Sequence, residues 1–181
     1  MCTEEAGVRE ALIRFQAGYS DRDTANLEAF MQLFVDSEQI EMIGVGACRR
    51  GGPEWFQGIE CIREIVESDW KYWGEVRLNV DGAKITVNGD TAWVTTDGEL
   101  LNASTFEDAL PFYVGMMKEL LEEEAHTLQM RVMDATFFGM SRLRDMQRGR
   151  GYANPFTFSA VLVQDNGGWR FHTIHWAFPG E

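Results

Sequence analysis

Phe156 to Pro179 reads FTFSAVLVQDNGGWRFHTIHWAFP and follows the pair Asn154-Pro155. Two runs rich in β-branched and aromatic residues flank Asp165-Asn166-Gly167-Gly168, and Asn and Gly accept the positive φ that a tight hairpin turn demands. The stretch therefore predicts two long strands joined by a short turn. Along the second strand, strict alternation puts Trp169, Phe171, Thr173, His175 and Ala177 on one face, and Arg170, His172, Ile174, Trp176 and Phe178 on the other. Neither set is polar. A sheet with one wet face alternates apolar with polar, so this pattern predicts a sheet covered on both sides. The chain's own helices supply one expected cover and a second subunit the other.

Working outward, 181 residues suit one domain that buries roughly 70% of its unfolded surface. A hydrophobic content of 45% with six Trp predicts a genuine core. The formal net charge of −13 argues against nucleic acid or an anionic membrane surface as partner. Cys2, Cys48 and Cys61 are odd in number and lack CxxC spacing, so neither a disulfide framework nor a zinc site is expected, and a reducing, cytoplasmic setting fits. No signal peptide is visible, and nothing approaches about 18 continuous apolar residues.

The N-terminal part is helical. Val8, Leu12, Phe15 and Tyr19 form an amphipathic stripe over residues 4 to 20, with Thr3 able to cap it. A second helix starts near Asp23 or Thr24 and buries Leu27, Phe30, Met31 and Phe34. Residues 38 to 46 read as a strand, and a third helix is expected from about Pro53 or Glu54 to Trp73. Ile59, Ile62, Val66, Trp70 and Trp73 form its buried stripe. Residues 75 to 87 predict a long strand bulged at Asp81-Gly82, returned by Asn88-Gly89 into a strand from Thr91 to Leu101. Residues 105 to 150 are helical, with a turn near Glu124 to Thr127, and hold six of the nine methionines. The stripes Leu110, Val114, Met117, Leu121 and Met130, Met133, Phe137, Met140 fit ordinary packing, the lining of an apolar site or a seal against a partner.

The order of elements resembles the nuclear transport factor 2-like superfamily, specifically its SnoaL-like branch, on three segments: QAGYSDRD (16–23), GDTAWVT (89–95) and GGWRFHTIHWAFP (167–179). The resemblance covers roughly residues 5 to 104 and 152 to 179. It implies an α+β fold with a curved antiparallel sheet wrapped round N-terminal helices as a cone, open at one end and often dimeric through the sheet's outer face. Residues 1–181 are then a single domain, with 105–150 a helical insertion before the final hairpin. Isomerases of this superfamily use a carboxylate base on the first strand, a second acid and a tyrosine. Those positions fall near Met42, Ala160 and Tyr19, and neither Met nor Ala exchanges a proton, so isomerase chemistry does not carry over.

His172 and His175, three apart on a strand, face opposite sides and cannot share a metal. His175 is expected inside, either as a hydrogen-bonded structural residue or as a general base. Glu123-x-x-His126 is half of a di-iron motif whose other half is missing, and no metal or cofactor is expected. Asp97 shares a strand face with Trp93 and is either the pocket's acid or exposed. The leading expectation is a homodimer that binds a small apolar molecule, with Phe15, Tyr19, Phe34, Trp70, Trp93, Phe158 and His175 lining or approaching the cavity. One alternative is an acid–base isomerase, cyclase or dehydratase using His175, with Tyr19 or Asp97 assisting. The other is a non-catalytic association module whose added helices dock a partner.

Overall fold

The computed structural model describes residues 3–47, 49–146 and 148–178; Cys2, Cys48 and Pro179 lie outside these, as do the side chains of Thr3, Arg144, Asp145 and Met146. The long helix α1 (Thr3–Asp21) buries Val8, Leu12, Phe15 and Tyr19 completely, as its apolar spacing requires. The carboxylate of Asp23 accepts from the Ala25 amide at 2.9 Å and starts a single 3₁₀ turn, Thr24–Asn26. From there α2 (Leu27–Met31) buries Leu27, Phe30 and Met31. A Cβ at Gly18 would lie 2.2 Å from the Phe30 ring, so glycine there lets α1 and α2 meet.

The strands are β1 (Glu41–Ile43), β2 (Trp55–Gln57), β3 (Gly74–Leu78), β4 (Lys84–Asn88), β5 (Thr91–Asn102), β6 (Ala153–Asp165) and β7 (Gly168–Ala177). They form one curved, unclosed sheet in the order β2-β1-β7-β6-β5-β3, with β4 also paired to β5. The strand pairings are antiparallel except β1 with β7, and Phe34 and Phe171 form an isolated parallel bridge, so the sheet is mixed where a wholly antiparallel one was expected. The α+β class and the wrapping of the sheet around the N-terminal helices are as expected. The supposed long strand over 75 to 87 is two strands, β3 and β4, that share β5 as neighbour on either side of a turn.

The β6–β7 hairpin closes through Asn166 and Gly167, at φ 51° and 81°, the paired positive angles of a type I′ turn. Its register then breaks. Val161 pairs with Thr173 but Leu162 pairs with Phe171, which leaves His172 as an extra residue in β7. This β-bulge reverses the inward and outward phase of the strand. Trp169 and Phe171 before the bulge and Ile174 and Trp176 after it therefore all point inward and are buried, while His175 is exposed on the outer face. The apolar residues on both nominal faces of β7 thus have one cover, the chain's own helices. The strict alternation expected above fails here, and with it the inference that Ile174, Trp176 and Phe178 need a second subunit; Phe178 packs partly buried against the same core.

Inside the curve the side chains are largely aromatic. The Phe15 ring lies 5.1–6.2 Å from those of Tyr19, Phe30, Phe34, Phe158, Phe171 and Trp176. Tilted and edge-on pairs of this kind each add about 0.5–1.5 kcal/mol beyond the area they bury. No helix among the described residues is long and apolar enough to cross a membrane.

Two further boundaries differ from expectation. The third helix, α3 (Ile59–Tyr72), begins after Gly58, whose φ of 88° is not helical, because Trp55–Gln57 pairs with β1 instead. The insertion is a hairpin of α4 (Phe106–Glu122) and α5 (Leu128–Met146), the first opened by a reciprocal capping box between Thr105 and Asp108. Its expected apolar stripes are turned outward: Leu110, Val114, Leu121, Met133, Phe137 and Met140 are exposed.

The bulge makes a sharp prediction. Trp176→Ala should cost about 3–5 kcal/mol in urea unfolding, whereas His175→Ala should stay within about 0.5 kcal/mol. Comparable losses at the two neighbouring positions would contradict the reversal of faces.

Candidate functional site

Above the aromatic floor lies a cavity of about 150 Å³. One wall is the face of α3 carrying Ile65, Ser68, Asp69 and Tyr72, spaced by three and four residues. The adjoining stripe of the same helix, Ile62, Val66 and Trp70, is buried in the core. Phe112, Tyr113, Met116 and Leu120 of α4 and Phe138 and Arg142 of α5 form the roof, and Met42, Phe56 and Trp176 close the sheet side. Tyr72 and Phe112 stack at 4.3 Å, joining wall to roof. The helical insertion therefore caps the open end of the curved sheet.

Ion pairs tie the roof down. Arg142 reaches Glu54 at 2.5 Å, with both side chains largely buried, and Arg49 pairs with Asp134. The guanidinium of Arg142 also lies 5.4 Å over the Phe138 ring. Glu54 sits in the β1–β2 loop at φ 65°, and a Cβ on Gly44 would come within 2.5 Å of its carboxylate, so glycine at 44 leaves room for that carboxylate. Removing one member of such a desolvated pair leaves the other charge uncompensated, which costs more than the pair contributes.

Asp69 is the polar centre of the cavity. It receives the hydroxyl hydrogen of the fully buried Tyr19 at 3.0 Å. Burial pushes the Asp69 carboxyl up to about 8, and nearby Glu54 pushes the same way; the Tyr19 hydrogen bond and Arg142 oppose the shift without cancelling it. Asp69 also lies in the last turn of α3, where the helix dipole disfavours a negative charge. Burial, and then Asp69 itself, holds the Tyr19 phenol well above its usual value. The result is a carboxyl poised near neutrality, able to donate a hydrogen bond, exchange a proton or meet a cation.

The residues singled out in the sequence are distributed differently from expectation. Phe15, Phe34, Trp70 and Phe158 form the floor below the cavity rather than its lining. Tyr19 reaches the site only through Asp69. Trp93, 46% exposed, lies on the outer face of the sheet, as does His175, which the bulge turns outward. Asp97 is exposed and accepts from the Asn79 side chain at 3.0 Å, so it is no part of the cavity. Met42 does face the cavity, while Ala160 lies in the core. Asp69 was legible only as a polar residue beside Trp70, since the helical period alone does not tell a solvated face from a cavity-facing one.

The sign of the pH effect on stability follows from Asp69. Its folded value near 8 lies above the ordinary 3.8, so the folded chain keeps a proton that the unfolded chain has released. The stability this gives is complete below about pH 4 and is lost as pH rises toward 8, at no more than about 1.4 kcal/mol per pH unit. Asp69→Asn should flatten that slope in urea unfolding between pH 5 and 8 and gain on the wild type at the upper end. Parallel slopes for the two proteins would refute the assignment.

Solved structures share this architecture. A nuclear transport factor 2-like superfamily protein from Salmonella enterica superposes with a TM-score of 0.60 at 17% identity, over 99% of this chain and 93% of that one. A ketosteroid isomerase-like protein from Erwinia carotovora does so with a TM-score of 0.58 at 12% identity, over 100% of both chains. A nuclear transport factor 2-like protein of unknown function from Pseudomonas putida gives a TM-score of 0.59 at 12% identity, over 100% of this chain and 90% of that one. At such identities the likeness is one of fold. No curated protein matches the sequence. The SnoaL-like domain family matches residues 8–115, more than half of the chain, and the protein belongs to that family.

Proposed function

We propose that this protein binds a small, largely apolar molecule in the cavity between α3, the α4–α5 roof and β7. The observation that carries this reading is the cavity of about 150 Å³, walled mainly by aromatic and aliphatic side chains around one polar pair, half-buried Asp69 and buried Tyr19. An apolar cavity of that size accommodates a single aromatic ring. His175 and Asp97 lie outside it, and Asp69, its carboxyl pushed up to about 8, is the first candidate for any acid–base chemistry in this chamber. A cytoplasmic setting belongs to the same reading and is consistent with the free thiol of Cys61.

Assembly as a homodimer is part of the proposal. Its support is the outer sheet face, where exposed Trp93 pairs laterally with Val161. Sedimentation of the wild type and of Trp93→Lys tests it: a dimer that the substitution dissociates supports the assignment, and a wild-type monomer removes it.

For ligand binding, a thermal-shift series with monocyclic aromatic compounds is the direct measurement. At about one hundred times Kd, binding should raise Tm by roughly 5–10 °C. Ser68→Phe, which places a ring in the cavity, should abolish the shift while leaving the fold intact. Shifts that persist in that variant would place binding elsewhere.

A further inference from the structure

Resting on the reading of the cavity as a small-molecule site, we propose that its ligand is an organic amine bound as the ammonium ion, with the Asp69 carboxylate as counter-ion and the surrounding aromatic rings holding its apolar body. Charge balance leads there. Of the charged groups lining the cavity, Glu54 and Arg142 are paired with each other at 2.5 Å. The described hydrogen-bond partner of Asp69 is the neutral hydroxyl of Tyr19, and no cation pairs with it among the described residues. An ionised Asp69 thus leaves one uncompensated negative charge in a desolvated chamber, a costly arrangement that either a proton or a cation relieves.

A proton relieves it near neutral pH, since burial pushes the Asp69 carboxyl up to about 8. An ammonium group can take the proton's place, and the walls favour that exchange. Tyr72, Trp73, Tyr113 and Trp176 line the same chamber, and aromatic faces attract cations that have left water. The protein already uses such a contact once, with Arg142 over Phe138. Tyr19 from α1, Glu54 from the β1–β2 loop and Arg142 from α5 are the titratable and charged groups felt by Asp69; Arg142, the one positive charge among them, is engaged by Glu54. The net charge of −13 adds a field that draws cations in and turns anions away.

Proton balance separates this from other ligands. A protonated amine that binds ionised Asp69 below pH 8 displaces the Asp69 proton to buffer, whereas a neutral alcohol leaves it in place. Isothermal titration of the full-length protein with benzylamine and benzyl alcohol, at pH 7 in two buffers of different ionisation enthalpy, reads both affinity and proton count. Benzylamine is expected to bind at least about tenfold more tightly than the alcohol, with release of close to one proton. In Asp69→Asn the preference should vanish, while Tyr19→Phe, which keeps the carboxylate, should retain it. Equal or tighter binding of the alcohol, or no proton released with the amine, overturns the inference and leaves the apolar-ligand reading standing. Failure of both compounds to bind overturns both. The wild-type comparison decides between these outcomes even if a variant does not fold.

Discussion

One extra residue in β7 governs the rest of the structure. With His172 outside the ladder, the strand spends four large side chains, Trp169, Phe171, Ile174 and Trp176, on a single face. A regular strand of the same sequence would bury two of them and leave two in water, or the reverse. The bulge also sharpens the local twist, as bulges do, and so belongs with the curvature that lets the sheet wrap α1. Trp176 then stands where floor and chamber meet, within 5.1–5.9 Å of Phe15, Tyr19, Trp73, Phe156 and Phe158 while also lining the cavity.

Given that floor, the cavity follows from what cannot fill it. The α4–α5 hairpin closes the chamber opposite Met42, Phe56 and Trp176, with side chains anchored at two levels. Stacking of Phe112 on Tyr72 fixes α4, and the Arg142–Glu54 and Arg49–Asp134 pairs fix α5 to the β1–β2 loop. A roof held by rings on one side and by directional ion pairs on the other spans a gap instead of collapsing into it. Dense packing is the rule in protein interiors, so a void of benzene size beside a buried carboxyl stands out.

Much of this was legible in the residues themselves. The stripe Val8, Leu12, Phe15, Tyr19 specified α1 by period, Asn166-Gly167 specified the hairpin by turn chemistry, and the break between the insertion helices fell within 124–127 as read. Family resemblance supplied the curvature that no local pattern encodes. What escaped was phase. His172 carries no local signal for a bulge, since none of the Gly or Pro that often marks one is present, and a single unmarked insertion inverted the assignment of every residue after it, His175 and Trp176 included. The insertion stripes failed for a related reason: with apolar residues all round α4 and α5, periodicity did not say which face the sheet would claim. Asp69 was hidden because a carboxyl on a helix reads as solvated until the roof above it is known.

The relation between fold and site follows from that last point. Met42, on the short strand β1, lines the chamber but exchanges no proton. The central titratable group comes from α3, and the Tyr19 hydroxyl is directed at it. A carboxyl approaching from the helix side lies near the C-terminal end of that helix and under an aromatic roof. There its neutral form is favoured and its charged form awaits a partner. A strand carboxylate held ionised beside a bound carbonyl is suited to removing a proton from carbon. A helix carboxyl kept neutral chiefly by burial is suited instead to trading its own proton for a cation, which is the chemistry we propose for this chamber.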